Sequence, residues 1–130
     1  ESLREAAKLY CRLVKVDGIG DTNASKPLAL SLLELCMMWD GPVRGCFRKN
    51  YLPRPRKRAP TLGGPYEQFL RHERKVAQDL VKQCMQQRNC GRTDAVTWLR
   101  QLPTRLPNSL CPREKPLAKL LDEYNYWKTR

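Results

Sequence analysis

Histidine occurs once in this chain, at position 72, and no C-x-x-C pair occurs at all. A histidine mechanism needs an oriented partner and a nucleophile within reach, whereas His72 falls between Arg71 and Glu73, beside an apolar stripe, and reads as an edge residue. With no histidine near a cysteine in sequence, metal-ligand spacing is missing too. Neither G-x-x-x-x-G-K-[ST] nor G-x-G-x-x-G is present, and Gly63 and Gly64 ahead of Pro65 read as loop closure and capping. The carboxylates are scattered among bases at helical pairing distances, which suits surface ion pairs. The longest mostly apolar stretch, residues 28–39, is interrupted by Ser31 and Glu34 and falls short of the roughly 20 residues that span a bilayer. The chain opens on Glu1 without an apolar leader, so a soluble protein is expected. Together these absences predict a non-enzymatic chain with no cofactor, no metal and no membrane span.

Acidity is scarce. Against 25 Lys+Arg stand 13 Asp+Glu, a formal charge of +12 on 130 residues. Self-repulsion of that size is usually tolerated for a polyanionic partner. Hydrophobic residues at 41% and charged residues at 29% nonetheless suit a globular chain, and the length suits a single domain over residues 1–130.

The charge is concentrated where acids vanish. Residues 43–60 hold seven bases, Arg44, Arg48, Lys49, Arg54, Arg56, Lys57 and Arg58, and no carboxylate. Pro53, Pro55 and Pro60 fix φ and remove backbone donors, so residues 43–64 are expected to form a basic, proline-rich loop, with a short helical turn over 43–50. Phe47 and Tyr51 sit among these bases. Cations neutralise phosphates and aromatic faces stack on unpaired bases, so this is the composition that a single-strand contact needs. Residues 55–60 also resemble a short nuclear-import signal. Further bases at Arg71, Arg74, Lys75 and Lys82, then Arg88, Arg92, Arg100, Arg105 and Arg113, would extend the face if their helix packs beside the loop.

Hydrophobic spacing is helical throughout, without the alternation of strands and without an internal repeat. Leu3, Ala6, Ala7, Tyr10, Leu13 and Val14 mark a first helix over residues 2–14. A second, capped by Ser25 with Pro27 in its first turn, is apolar nearly all round over 28–39 and is therefore expected at the centre of the bundle, with Asp40, Gly41 and Pro42 stopping it. Pro65 opens a long third helix with the stripe Tyr66, Phe69, Leu70, Val76, Ala77, Leu80, Val81 and Cys84. Thr93 or Asp94 caps a fourth, which Pro103 limits. The fifth starts near Pro112 or Pro116 and is expected to bury Leu117, Leu120, Leu121, Tyr124 and Trp127. The predicted class is all-α, a single-domain bundle of about five helices around a central apolar one.

Six cysteines, at 11, 36, 46, 84, 90 and 111, admit two accounts. Cys11, Cys36 and Cys84 fall on apolar stripes, where a free thiol acts as a small hydrophobe, and this favours an intracellular location, the nucleus included, over secretion. Three disulfides would instead suit a secreted protein. Cys36 and Cys46 have the gap of one half of the twin C-x9-C mitochondrial helical hairpins, from which the closer pair Cys84 and Cys90 departs. The helices, the six cysteines and the sequon Asn23-Ala24-Ser25 resemble short-chain helical cytokines in outline, without a receptor-site motif to carry over.

The leading expectation is an RNA-binding or single-strand-binding basic domain, of a viral or ribonucleoprotein assembly, that contacts phosphates through Arg44, Phe47, Arg48, Lys49, Tyr51, Arg54, Arg56, Lys57 and Arg58. One alternative is a disulfide-stapled secreted ligand of a receptor ectodomain. The other is a protein–protein assembly domain whose charge is incidental.

Overall fold

A computed structural model describes residues 2–32, 34–51, 64–105 and 114–128, apart from the side chain of Tyr126. The protein is all-α. Its described helices are α1 (Ser2–Val14), α2 (Asp21–Ser31), α3 (Gly41–Asn50), α4 (Gly64–Arg88), α5 (Arg92–Arg100), α6 (Leu102–Arg105) and α7 (Leu117–Lys128). Among the described residues seven helices stand where five were expected, because residues 41–50 and 102–105 form helices of their own.

The largest departure lies at residues 28–39, which do not form one apolar helix. The second helix starts earlier, at Asp21, and stops at Ser31, so that Pro27 lies in its interior and Ser25 is not its cap. Pro27 withholds one i→i−4 hydrogen bond and disfavours helical backbone just before it. At Glu34 and Leu35 the chain turns, and the residues that follow are not helical yet bury Cys36, Met37 and Trp39. Irregular backbone can be buried only if its polar groups find partners, and side chains from three helices supply them. Asp122 of α7 accepts from the Met38 N–H at 2.9 Å, Ser25 of α2 from the Trp39 N–H at 3.0 Å, and Tyr66 of α4 donates to the Met37 carbonyl at 2.9 Å. The second half of the apolar run is thus central as a non-helical strap.

The hub is α4, which packs against α1, α5 and α7. Around its first half, Tyr66, Phe69 and Leu70 meet Leu3, Ala6 and Tyr10 of α1, Leu28 of α2, Trp39, Phe47 of α3 and Leu121 of α7 in one apolar cluster. Its second half supplies Val81 and Cys84 to a smaller cluster with Ala95 and Leu99 of α5. The rings of Trp39 and Phe69 lie 4.7 Å apart, and those of Trp39 and Phe47 5.7 Å apart edge to face, arrangements that add to simple area burial.

Helix ends follow local chemistry. Asp40 does not merely stop a helix; it caps α3, accepting the Val43 N–H at 3.0 Å with Pro42 in the first turn. At the end of α4, Asn89 takes a left-handed φ of 48° and the Cys90 N–H reaches the Met85 carbonyl at 3.2 Å, the reversal that closes many helices. The cap of α5 is Gly91 and not Thr93 or Asp94. On α7, Ala118, Leu121 and Asp122 are buried, whereas Tyr124 and Trp127, expected inside, are 52% and 75% exposed.

Candidate nucleic-acid interface

On α3, side chains four residues apart share a face, so Phe47 and Tyr51 project together, and Arg44 and Arg48 do likewise. The first pair divides its labour. Phe47 is 5% exposed and packs in the core against Trp39 and Phe69, which corrects its expected role as a stacking surface. Tyr51, at the C-cap of the helix, remains 46% exposed. Its ring lies 4.2 Å from His72 and 5.5 Å from Phe47.

The basic pair divides too. Arg44 Nη1 meets Asp21 Oδ2 at 2.7 Å, and the same carboxylate accepts the Tyr10 hydroxyl. Arg44 therefore ties α3 to α2 and, through the shared carboxylate, to α1, so that it is an ion-paired base and not a free one. Burial, followed by the hydrogen bond to Asp21, pushes the Tyr10 hydroxyl far above the usual phenol range. Arg48 and Lys49 are exposed and pair with no carboxylate among the described residues. Arg54, Arg56, Lys57 and Arg58 lie outside the described residues.

Beside Tyr51 the surface is concave. A cavity of about 190 Å³ opens between α3, α4 and α7, lined by Phe47 and Tyr51, by Phe69, His72, Glu73 and Val76, and by Leu121, Tyr124, Asn125 and Lys128. Its exposed rings are Tyr51 and Tyr124, and Lys128 Nζ lies 5.8 Å from the Tyr124 ring centre, within reach of a cation–π contact. Partial burial, then the charges of Lys128 and Lys75, hold His72 below the ordinary imidazole value. Glu73 is buried. Burial pushes its carboxyl up, against the opposing hydrogen bond from Asn125 and the charge of Lys128, while Asp122 adds to the rise. Of the residues that sequence reasoning passed over, Glu73 had a legible signal: it occupies the stripe position between Phe69, Leu70 and Val76. Tyr124 had none, because its spacing matches that of its buried neighbours.

Among the described residues, two of the further bases are engaged elsewhere than at this cavity. Arg71 binds the buried Glu67 at 2.6 Å. Arg88 lies 4.6 Å over the Trp98 ring, and the two join Gln101 and Arg105 around a separate cleft. Arg88 is sixteen residues beyond His72, or about 24 Å along α4.

Among the described residues no group of three or more His, Cys, Asp and Glu is placed to hold a metal ion, and no helix is long and apolar enough to cross a membrane. The five described cysteines are free thiols, which removes bridges among them from the disulfide-stapled account; Cys111 lies outside the described residues. Comparison with protein-family models, with curated proteins and with solved structures finds no match to the chain.

Proposed function

We propose that this protein binds single-stranded nucleic acid, with RNA as the first candidate, through the surface where α3, α4 and α7 meet. The observation that carries the reading is the pairing of two unlike features. Arg48 and Lys49 are exposed bases without a carboxylate partner among the described residues, and beside them Tyr51, His72 and Tyr124 offer ring surface around one cavity. Phosphates would be neutralised by the first group and by the acid-free run that follows in sequence, and unpaired bases would stack on the second. No part of the reading needs catalytic chemistry.

Its test is fluorescence anisotropy of a labelled single-stranded 12-mer against rising salt. Binding should weaken log-linearly with salt, and Tyr51→Ala should cost about 1–3 kcal/mol, the range for removing a base–aromatic stack. Salt-independent binding, or none at low salt, overturns the reading.

A second reading, protein–protein assembly, is favoured by one feature. Leu30 is 72% exposed, and Leu9 and Leu32 line an apolar groove with Ala6 and Leu35. Concentration-dependent sedimentation that Leu30→Glu abolishes would support it.

A further inference from the structure

Phosphate contacts need exposed cations and nothing concave, so the cavity between α3, α4 and α7 calls for its own explanation. Its floor is apolar, made by Phe47, Phe69, Val76 and Leu121. Its rim carries flat, half-exposed rings, Tyr51 and Tyr124. Two polar side chains interrupt the apolar lining, the buried Glu73 carboxyl and the Asn125 amide hydrogen-bonded to it. At about 190 Å³ the space is smaller than the roughly 300 Å³ at which pockets for drug-sized molecules begin. It suits one planar ring system.

Aromatic rings around a carboxylate also describe a cage for an organic cation. Charge decides against that occupant. Lys128 lines the cavity and lies over Tyr124, Lys128 and Lys75 both act electrostatically on His72, and the chain carries a net +12. A cation is repelled by this surround, whereas a neutral ring tethered to a phosphate is drawn towards it.

We infer that the cavity takes one unpaired nucleobase, guanine before the others, stacked on the rim rings with its Watson–Crick edge on Glu73. An ionised carboxylate offers about four acceptor positions, and Asn125 occupies only part of that capacity. Guanine presents two adjacent donors, N1–H and the N2 amino group, matching the two carboxylate oxygens. Uracil presents one N–H between two carbonyl oxygens, which would face the carboxylate lone pairs. Cytosine and adenine each offer an amino group and rank between the two. The inference rests on the nucleic-acid reading and adds base preference to it.

The experiment compares the intact protein's affinity for a labelled U12 RNA with its affinity for the same RNA carrying one central guanosine. The single guanosine should tighten binding on the order of ten-fold, within the discrimination of a good bidentate base contact. In Glu73→Gln the two RNAs should bind alike, since an amide cannot accept both donors. Tyr124→Ala removes a ring that is half in solvent, so folding is not at stake, and it should also shrink the guanosine advantage. Equal binding of both RNAs to the unmodified protein, with normal salt dependence, overturns the base pocket and leaves the phosphate reading standing. Absence of binding to either overturns both, and a guanosine advantage that survives in folded Glu73→Gln and in Tyr124→Ala overturns the assignment to this cavity.

Discussion

The Ser25 hydroxyl accepts the Trp39 N–H at 3.0 Å and donates to the Thr22 carbonyl at 3.0 Å, with the side chains of Ser25 and Trp39 almost wholly inaccessible to solvent. One oxygen thereby pins the non-helical strap to the inner face of α2. Ser25→Ala is isosteric enough to fit but leaves a buried donor without a partner, which costs about 1–3 kcal/mol. Urea unfolding should show that loss as a lower midpoint at unchanged m-value. A variant as stable as the parent would mean that the strap does not depend on this bond.

Arg44 and Arg48 share a face of α3 and should behave oppositely on substitution. Arg44→Ala strands Asp21, which also holds Tyr10, so its effect should be a lower Tm with little change in the salt dependence of RNA binding. Arg48→Ala combined with Lys49→Ala should leave stability within about 1 kcal/mol of the parent, as exposed substitutions do. It should lower the slope of log K against log salt by about 0.7 for each phosphate of a single strand that is no longer neutralised. Reversed outcomes would show that the ion pair and the free bases have been assigned the wrong way round.

These contrasts show what the sequence could disclose. Helical class, the acid-free run and the long stripe of α4 were legible because each follows from local composition or period. The fate of residues 28–39 was not, since an all-round apolar segment fits a buried helix and a buried strap equally well until Ser25, Tyr66 and Asp122 are known to serve its backbone. Phe47 and Tyr51 looked equivalent in sequence, and only the packing of Trp39 and Phe69 separates the inward ring from the outward one. Tyr124 repeats the spacing of Leu117 and Leu121, yet its ring stays half exposed and lines the cavity between α3, α4 and α7.

Glu73 should leave a signature in stability against pH. Its folded-state pKa lies above the ordinary carboxylate value because of burial, so the native state binds this proton more tightly than the unfolded chain does. Its contribution is full below the unfolded value and is lost as pH rises through the raised folded value. The facing groups divide: Asp122 of α7 strengthens the effect, and Asn125 and Lys128 weaken it. Glu73→Gln cannot ionise, so its Tm should gain on the parent's as pH rises above the ordinary carboxylate range and through the raised folded value, and should then keep a constant lead. Parallel Tm curves across that range would show that ionising Glu73 costs the fold nothing.

Cysteine reactivity offers a check on both the fold and the cavity. Cys36 and Cys84 are buried, while Cys11, Cys46 and Cys90 are partly accessible, and burial pushes the Cys36 thiol further from its reactive thiolate. Iodoacetamide under native conditions should therefore modify the second group well before the first, without any reductant. Cys46 also lines the cavity, whereas Cys90 sits past the far end of α4 beside Arg88 and Trp98. Saturating guanosine monophosphate should slow alkylation of Cys46 several-fold and leave Cys90 unchanged, read peptide by peptide in a mass spectrum. Equal protection of the two thiols would point to bulk charge neutralisation, and protection of Cys90 alone would move the base site to the Trp98 cleft.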